Sequence, residues 1–400
     1  MTFGTMAVDH EIRIDYDKLR KDRLKKTREQ MELDGLGALL VFDPDNVRYI
    51  TSTKLGEWVT NKLARYCLLV RGQEPILFEI GSAIRTKKML CPWIKDIRPS
   101  KTDMRGTMPG LGSVDTSIKE IASILKDFGV EKEPVGIDYM TVPLMKAFLK
   151  YGIVVEDGQQ TMLDAQTIKT DEEIQLLEIS AAMVDAGFWE VVNFVHPGVK
   201  ENEVAALMRK RLVELGAENV HNVNVITGNR SHPHPHDYSD RIIRPGDMIF
   251  IDVVNDFNGY KTCYYRTFVC GKPTEKQKQI YKVAYDWLYN AIELVKPGVS
   301  TAEIARGWPD YKELGYESEH EALALELGHG VGITHWAKPV ITRGHSLDNP
   351  EMLKENMHLA LETYYGEGSD GARIEEQIVV TKDGYRIITK FPCDELISCW

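Results

Sequence analysis

A repeated segment in the second half of the chain constrains the fold more than any single motif. Residues 195–204 (VHPGVKENEV) resemble residues 295–304 (VKPGVSTAEI). In each copy a Pro-Gly turn separates the end of one helical pattern from the start of the next. Similarity at a fixed spacing is typical of a duplicated structural unit. The second half is therefore expected to be an α+β domain built from two related copies.

The similarity between the copies continues into two apolar strands. Residues 246–252 (GDMIFID) parallel residues 356–362 (NMHLALE), and a carboxylate ends each segment. A duplicated unit would bring Asp252 and Glu362 to related places about a pseudo-two-fold axis. A carboxylate that ends a buried strand is costly unless it is paired, protonated or bound to a metal. The structural alternative is a local ion pair.

The first half predicts a smaller α/β domain over residues 1–165, and the second domain then spans residues 166–400. The predicted elements are a helix over 15–34, a strand over 36–42, a hairpin over 66–80, a loop over 106–112, a helix over 117–128 and a strand over 135–138. Thr170 and Glu173 have the spacing of a capping box, which predicts the start of a long helix.

Composition limits the class of function. The chain of 400 residues has a formal net charge of -11, which argues against a nucleic-acid partner. No apolar stretch reaches the roughly 18–20 residues that a membrane span needs, and the N-terminus lacks the apolar core of a signal peptide. The six cysteines form no CxxC pair, as expected for reduced thiols. We therefore expect a cytoplasmic protein with neither a nucleic-acid nor a membrane partner.

Four groups of residues in the second half could carry chemistry. They are the tract SHPHPHD at 231–237, the segment GHGVGITH at 328–335, Glu362, and Glu375 in the run RIEEQ at 373–377. Carboxylates together with imidazoles suit a divalent transition metal, and two ions that share carboxylates would activate water. The structural alternatives are an ion pair between Glu375 and Arg373, a buried structural role for His329, and adventitious metal binding by the exposed histidine tract.

In their order along the chain, Asp252, His329, Glu362 and Glu375 resemble the motifs of the pita-bread superfamily (family M24). This superfamily comprises creatinase, prolidase, aminopeptidase P and methionine aminopeptidase. The resemblance covers nearly the whole chain, because the N-terminal half is similar to the creatinase and prolidase type. It implies a pita-bread catalytic domain with a dinuclear metal site, whose ligands would include these four residues.

The remaining ligand position departs from the superfamily pattern. The run GYKTCYYRTF at 259–268 carries Cys263 where the resemblance implies a bridging aspartate. A thiolate binds a soft or borderline metal, whereas a neutral thiol cannot bridge two hard ions as a carboxylate does. One divalent metal, an altered pair (Fe, Mn, Zn or Co) and no metal therefore remain open. Creatinase gives the precedent for the last case, since it hydrolyses a C–N bond without metal and uses a histidine as acid and base.

The resemblance also implies acid–base and substrate-side histidines. The histidine tract lies where the superfamily keeps its substrate-side histidine; His234 fits the spacing best and His236 is next, with His232 as the remaining alternative. His335 follows His329 by six positions, whereas peptidases usually have a second histidine at seven. The predicted catalytic residues are His234, His236 and His335.

Several segments are similar to the dimethylsulfoniopropionate lyase branch of the same superfamily. They are FDPDNVRY at 42–49, Trp58, Arg65, and the ending ETYYG at 362–366 with EEQI at 375–378. The likeness implies a homodimer in which the N-terminal domain of one subunit closes the pocket of the other. Trp58 could hold an onium group and Arg65 a carboxylate; the alternative for both is local packing. Tyr265, His329 and Glu362 complete the predicted substrate contacts.

The leading functional hypothesis is hydrolysis of a C–N bond in a small zwitterionic or carboxylate-bearing substrate. A histidine would act as acid and base, and the metal site would be modified or absent. The alternatives are metal-dependent C–S cleavage of the lyase type, an Xaa-Pro dipeptidase or aminopeptidase, and a non-catalytic pita-bread binding protein.

Overall fold

The computed structural model describes residues 14–54, 56, 61–101, 113–233, 235–322 and 326–400. The chain divides into two compact units, Met1–Gln166 and Thr167–Trp400. None of the helices in these described ranges combines the length and the apolar character that crossing a bilayer requires.

The N-terminal unit is a six-stranded mixed sheet with helices. The helices are α1 (Tyr16–Leu33), α2 (Pro44–Thr51), α3 (Ile84–Leu90), α4 (Ser113–Asp127), α5 (Val142–Tyr151) and α6 (Gly158–Thr167). The strands are β1 (Ala38–Val41), β2 (Tyr66–Val70), β3 (Ile76–Glu79), β4 (Asp96–Pro99), β5 (Val135–Ile137) and β6 (Val155–Asp157). Their order is β4-β3-β2-β1-β5-β6, with β1 antiparallel to β2 and parallel to β5.

Local sequence accounts for these elements. The Asp15 carboxylate accepts hydrogen bonds from the first amides of α1, and Gly35 follows that helix at φ 68°, where glycine carries no steric cost. Strand β1 is buried along its whole length, as its continuous apolar run predicts. The predicted helix over 15–34, the central strand and the hairpin are confirmed. The predicted loop over 106–112 lies outside the described residues.

The C-terminal unit contains two five-stranded sheets. Its helices are α7 (Asp171–Phe194), α8 (Glu201–Glu214), α9 (Glu275–Ile292), α10 (Thr301–Arg306) and α11 (Arg343–Ser346). The first sheet has the order β16-β10-β8-β7, with β9 paired to β8; the second has the order β12-β11-β13-β14-β15. The strands are β7 (Asn219–Thr227), β8 (Met248–Phe257), β9 (Tyr260–Lys261), β10 (Tyr265–Cys270), β11 (Glu326–Gly330), β12 (Ala337–Ile341), β13 (His358–Glu367), β14 (Asp370–Val380), β15 (Tyr385–Ile387) and β16 (Ile397–Cys399).

The two sheets and their helices are the two copies of the repeat. In each copy a long helix, α7 or α9, ends before a Pro-Gly turn, and the glycine has a positive φ of 100° at Gly198 and 87° at Gly298. A single β-bridge follows in each, Lys200 to Ile242 and Ser300 to Met352, before α8 or α10 begins. The predicted capping box of α7 is present. The predicted α+β fold with an internal repeat is confirmed.

Each sheet has its own apolar layer of helix side chains. Phe188 of α7 packs with Ile251 and Phe268 of the first sheet. Leu288 of α9 is buried in the core of the second sheet with Ile374. These two layers hold the strands that carry the candidate site.

The position of the two strand carboxylates differs from the prediction. Asp252 and Glu362 were expected at strand ends, but each is the fifth residue of a ten-residue strand. The strands continue because Val253 and Val254 keep pairing with β7, and residues 363–367 keep pairing with β14. Mid-strand placement fixes both carboxylates more firmly than a strand end would.

Candidate active site

Side chains from both copies of the repeat meet in one buried cluster. On β8, Asp252 lies opposite Tyr265 of β10 and Asn224 of β7. On β13, Glu362 lies opposite Glu375 of β14. All three carboxylates are buried.

The cluster contains the five residues predicted as metal ligands. One ligand atom from each of Asp252, Cys263 and Glu375 lies within 4.8 Å of the others, and the same holds for His329, Glu362 and Glu375. Cys263 lies between β9 and β10 and is 4% exposed. The five residues are therefore brought together, and metal binding by them stays a prediction.

Several atoms of the cluster that could bind a metal ion have no hydrogen-bond partner among the described residues. They are Oδ1 of Asp252, Nε2 of His329, Nε2 of His335 and both carboxylate oxygens of Glu375. Leaving a buried polar atom without a partner costs about 1–3 kcal/mol, and more when it is charged. Oxygen, nitrogen and sulfur atoms that lie this close together can act as ligands of one divalent transition metal ion. The residues present therefore fit a metal ion.

Burial and mutual repulsion shift the pKa values of the acidic groups upward. Burial, and then the charge of Glu362, raises the pKa of Asp252 to about 7. Burial, followed by Glu362 and Asp252, raises the pKa of Glu375 well above its usual range. Burial and the charge of Glu375 do the same to the pKa of the Cys263 thiol. A bound cation would offset these costs.

Arg373 neutralises one of the carboxylates. Its Nε and Nη2 lie 3.0 and 2.7 Å from Oε2 of Glu362, and its guanidinium lies 4.6 Å from the ring centroid of Tyr265. The alternative ion pair of Arg373 with Glu375 is therefore wrong. Glu362 is directly opposite Glu375, and Arg373 is its diagonal neighbour on the same face, within reach of a long side chain.

A cavity of about 290 Å³ opens above the cluster. Its lining residues are His221, Asn222, Asn224, His236, Asp252, Val254, Cys263, Tyr265, His335, Trp336, Glu362 and Arg373. Of the three residues of this unit predicted to contact substrate, Tyr265 and Glu362 line the cavity. His329 is fully buried and is not among the lining residues.

The sequence did not single out His221, Asn222, Asn224, Trp336 or Arg373 as lining residues. Asn224 donates to Oδ2 of Asp252 at 3.1 Å, a contact that only the strand register reveals. Trp336 is 56% exposed, and its ring stacks on that of His329 at 4.2 Å. In the sequence, a tryptophan directly after His335 is the signal that could have pointed to the cavity wall.

The predicted catalytic histidines occupy different places. His232 is fixed to β13, since its Nδ1 lies 2.6 Å from the hydroxyl of Tyr364. His234 lies outside the described residues, and His236 lines the cavity. Burial lowers the pKa of His236, and burial with the neighbouring His329 lowers the pKa of His335 to about 3. Both rings are therefore neutral at pH 7.

The two residues predicted to reach a partner subunit are in the N-terminal unit. Trp58 lies outside the described residues. Arg65 is 7% exposed, its Nε lies 2.9 Å from Oε2 of Glu79, and its Nη2 donates to the Thr53 hydroxyl. These contacts favour the local-pairing alternative for Arg65, and its contact with substrate stays a prediction.

Two family models match the chain. Residues 175–382 match metallopeptidase family M24, and residues 23–153 match the creatinase/prolidase N-terminal domain. The Xaa-Pro dipeptidase of Pyrococcus furiosus is 28% identical over 380 residues, covering 92% of this chain and 98% of the relative. The dimethylsulfoniopropionate lyase DddP of Roseobacter denitrificans is 24% identical over 413 residues, covering 96% and 89%.

Solved structures share the fold. The Xaa-Pro dipeptidase from Bacillus anthracis superposes with a TM-score of 0.75 at 23% identity, over 95% of this chain and 99% of that chain. The prolidase from Pyrococcus horikoshii OT3 gives a TM-score of 0.75 at 24% identity, over 93% and 99%. At these identities the likeness shows the fold alone.

Proposed function

Because the chain belongs to metallopeptidase family M24, we propose that it is a metal-dependent hydrolase that cleaves a C–N bond in a small carboxylate-bearing substrate. Xaa-Pro dipeptides are the first substrates to test, since the Pyrococcus furiosus relative is an Xaa-Pro dipeptidase. Membership of the family confirms the superfamily resemblance, the pita-bread fold and the hydrolase class inferred from the sequence.

The observation that carries this proposal is the buried cluster below the cavity. Asp252, Glu362 and Glu375 lie together with Cys263 and His329, and several of their donor atoms lack partners among the described residues. Among the described residues that line the cavity, Arg373 supplies the single guanidinium or ammonium group, and it is already paired with Glu362. The excess of negative charge over positive charge favours a divalent cation.

A divalent ion such as Fe, Mn, Zn or Co, held by these five residues, would polarise the scissile carbonyl group and lower the pKa of water. Residues of the chain supply the remaining functions. His236 at the cavity wall is neutral at pH 7, so it can take a proton during attack and return it to the leaving amine. Arg373 orients Glu362 through their ion pair.

The cavity suits a small substrate. Ligand pockets commonly measure about 300–1,000 Å³, so 290 Å³ is just below that range. Asn222 and Asn224 offer amide groups, and Trp336 offers an aromatic face, to a substrate with both polar and apolar parts. A dipeptide has this size and chemistry, whereas a long peptide would need space outside the cavity.

The proposal is tested with full-length protein purified without a polyhistidine tag. We expect hydrolysis of an Xaa-Pro dipeptide panel, loss of activity on dialysis against a chelator, and recovery with Mn, Fe, Co or Zn. His236→Ala should lower kcat by about 10²–10⁴-fold, the usual contribution of a positioned acid or base. His320→Ala is the matched control, because His320 is exposed and lies outside the cavity.

Two outcomes would contradict this function. Hydrolysis that is unaffected by the chelator but lost in His236→Ala would indicate a metal-free, creatinase-like mechanism, and guanidino compounds would then be screened. An inactive protein with bound metal, tested on dipeptides and amides, would exclude the hydrolase proposal.

A second candidate function is C–S cleavage of a sulfonium acid. It is supported by the 24% identity to the Roseobacter denitrificans lyase over 96% of this chain. Removal of a proton beside a carboxylate, which such an elimination requires, could also use His236. Release of dimethyl sulfide from dimethylsulfoniopropionate, without dipeptide hydrolysis, would favour this candidate. A homodimeric state and a cytoplasmic location stay predictions for either function.

A further inference from the structure

We propose that Cys263, His329 and His335 form a thiolate–imidazole metal site, which makes the enzyme selective for a thiophilic ion such as Zn²⁺ or Co²⁺. The inference rests on the metal-dependent form of the proposed function and specifies the ligands and the ion. It assigns His335 a ligand role in place of the catalytic role predicted from the sequence.

The three ligand atoms are already close together. One atom each of Cys263, His329 and His335 lies within 4.8 Å of the others. A sulfur about 2.3 Å and a nitrogen about 2.1 Å from one zinc ion are at most about 4.4 Å apart. Small side-chain rotations would therefore complete the site. Cys263 comes from the first copy of the repeat, and both histidines come from the second.

The imidazole nitrogens are available as ligands. Nδ1 of His329 lies 3.1 Å from the carbonyl oxygen of Gly330, so Nδ1 carries the proton and Nε2 has a free lone pair. This Nε2 and Nε2 of His335 are buried and have no hydrogen-bond partner within the described ranges. A metal-ligating histidine usually donates its other ring N–H to a carbonyl or carboxylate group, as His329 does here.

The Cys263 thiol has apolar side chains on one side and a carboxylate on the other. Val254, Val331 and Ala360 form a small apolar cluster with Cys263. A ligand atom of Cys263 also lies within 4.8 Å of one of Glu375, which places a carboxylate for a fourth coordination position. Trp336 stacks on the ring of His329 at 4.2 Å and holds it in place. Sulfur, nitrogen and oxygen ligands together are typical of zinc.

This ligand set predicts the preferred metal. Thiolate and imidazole ligands favour Zn²⁺ and Co²⁺, whereas oxygen-only sites suit Mn²⁺ and Mg²⁺. With Cys263 in the site, Mn²⁺ has one oxygen ligand fewer than with a carboxylate at this position. The protein should therefore bind Zn²⁺ or Co²⁺ in preference to Mn²⁺.

Titration of Co²⁺ into chelator-treated, full-length protein tests the thiolate. We expect about one Co²⁺ per chain with an intense thiolate-to-cobalt charge-transfer band in the near ultraviolet. Cys263→Ser should abolish this band. Cys270→Ser is the matched control, because Cys270 is also buried and lies in the core of the first sheet, so it should keep the band.

His335→Gln tests the second new ligand. Loss of an outer partner of a metal ligand typically costs about 10–100-fold in metal affinity, so loss of a direct ligand should weaken Co²⁺ binding by at least that factor. His221→Gln is the control, since His221 lines the same cavity but lies outside the three-residue site. Far-ultraviolet circular dichroism of each variant verifies folding.

X-ray absorption of the zinc-loaded wild-type protein gives a result that needs no variant. A sulfur shell at about 2.3 Å supports the site, whereas a shell of oxygen and nitrogen alone overturns it. Co²⁺ binding without the charge-transfer band would likewise overturn the thiolate site, even if dipeptides are hydrolysed. A protein with the band that hydrolyses neither dipeptides nor amides would keep this site and exclude the proposed function.

Discussion

The Cys263 thiol lies in a cluster of carboxylates with apolar side chains behind it. Without a cation, burial and the nearby charge of Glu375 hold its pKa well above the usual range, so the thiol is neutral. Both oxygens of Glu375 lack a hydrogen-bond partner among the described residues. Burying them beside a neutral thiol costs folding free energy if the cluster has only a structural role. We therefore expect the identity of this one side chain to influence which ion the cluster accepts.

Cys263→Asp should change the metal preference toward Mn²⁺. An aspartate replaces the sulfur with a carboxylate that can bridge two hard ions. We expect the metal content of this variant, measured by elemental analysis after exposure to equal concentrations of Zn²⁺ and Mn²⁺, to shift toward Mn²⁺ and toward two ions per chain. Cys263→Ser serves as the control for loss of the thiol alone. An unchanged ratio in the aspartate variant would show that position 263 does not contact the ion.

His358 makes folding stability depend on pH. It is fully buried with Nδ1 2.9 Å from the carbonyl oxygen of Val331, and burial lowers its pKa from 6.5 to about 3. Between these values the unfolded chain binds a proton that the folded chain excludes, so stability falls as pH falls. From pH 7 to pH 5 this amounts to about 2 kcal/mol.

His358→Gln should remove this part of the acid sensitivity. We expect its free energy of unfolding to fall by about 2 kcal/mol less than that of the wild type between pH 7 and pH 5. The measurement is chemical unfolding of the C-terminal unit at both values, with exposed His320→Gln as control. Equal losses in His358→Gln and wild type would mean that other groups cause the acid sensitivity.

At the residue scale, motif order and residue type were sufficient to predict that Asp252, His329 and Glu375 would lie together. A local ion pair was an alternative for Glu362, but the sequence assigned Arg373 to Glu375 instead. The pairing of Arg373 with Glu362 depends on which residues of β13 and β14 lie opposite one another, and that register is set by the whole sheet. Asn224 was missed for the same reason, because an asparagine on a strand has no distinctive sequence signal.

Among the elements, the loop that carries the histidine tract is fixed at its base to the second sheet. The Ser231 hydroxyl donates to the carbonyl oxygens of Gly228 and Ser369, and the amide of Gly371 donates to Ser231 Oγ. The Tyr364 hydroxyl donates to the Ser231 carbonyl at 2.8 Å. These bonds position the start of the tract that leads to His236 at the cavity.

Gly371→Ala should disturb this base. A Cβ at Gly371 would lie 2.2 Å from the carbonyl oxygen of Ser231, a backbone atom that cannot rotate away. We expect a loss of about 1–3 kcal/mol in stability, as for other overpacked sites, and faster proteolysis within 231–237. Thermal unfolding and limited proteolysis measure these effects. Gly384→Ala is the control, since its Cβ would meet nothing within 4 Å; equal behaviour of the two variants would show that the loop base is not tight.

The repeat was predictable at the element scale because short local sequence patterns indicate it. The Pro-Gly turns at Gly198 and Gly298 need only neighbouring residues to form, and the apolar segments of the strands are recognisable from local composition. The ends of β8 and β13 were not predictable from hydrophobicity, because strand length depends on how far the partner strand continues to offer hydrogen bonds. That partner is distant in the sequence.

At the scale of the whole molecule, the two copies of the repeat each supply part of the site. The first sheet contributes Asp252 and the segment with Cys263, and the second contributes His329, Glu362 and Glu375. Neither sheet alone assembles the ligand groups, so the site requires the complete C-terminal unit. Closure of the pocket by the N-terminal unit of a partner subunit stays a separate prediction.

If the N-terminal domain of one subunit closes the pocket of another, two inactive variants should complement one another. Glu375→Gln removes a predicted ligand, and Trp58→Ala removes the residue predicted to reach the partner. In a mixed dimer, the intact ligand cluster of the Trp58→Ala chain would be closed by the intact Trp58 of the other chain. We expect co-expressed variants to regain dipeptidase activity that neither has alone, in a dimer verified by native mass spectrometry.

Glu375→Gln mixed with His236→Ala is the control, because both changes lie in the C-terminal unit and should not complement. Monomeric protein, or no regain with Trp58→Ala, would place pocket closure within a single chain.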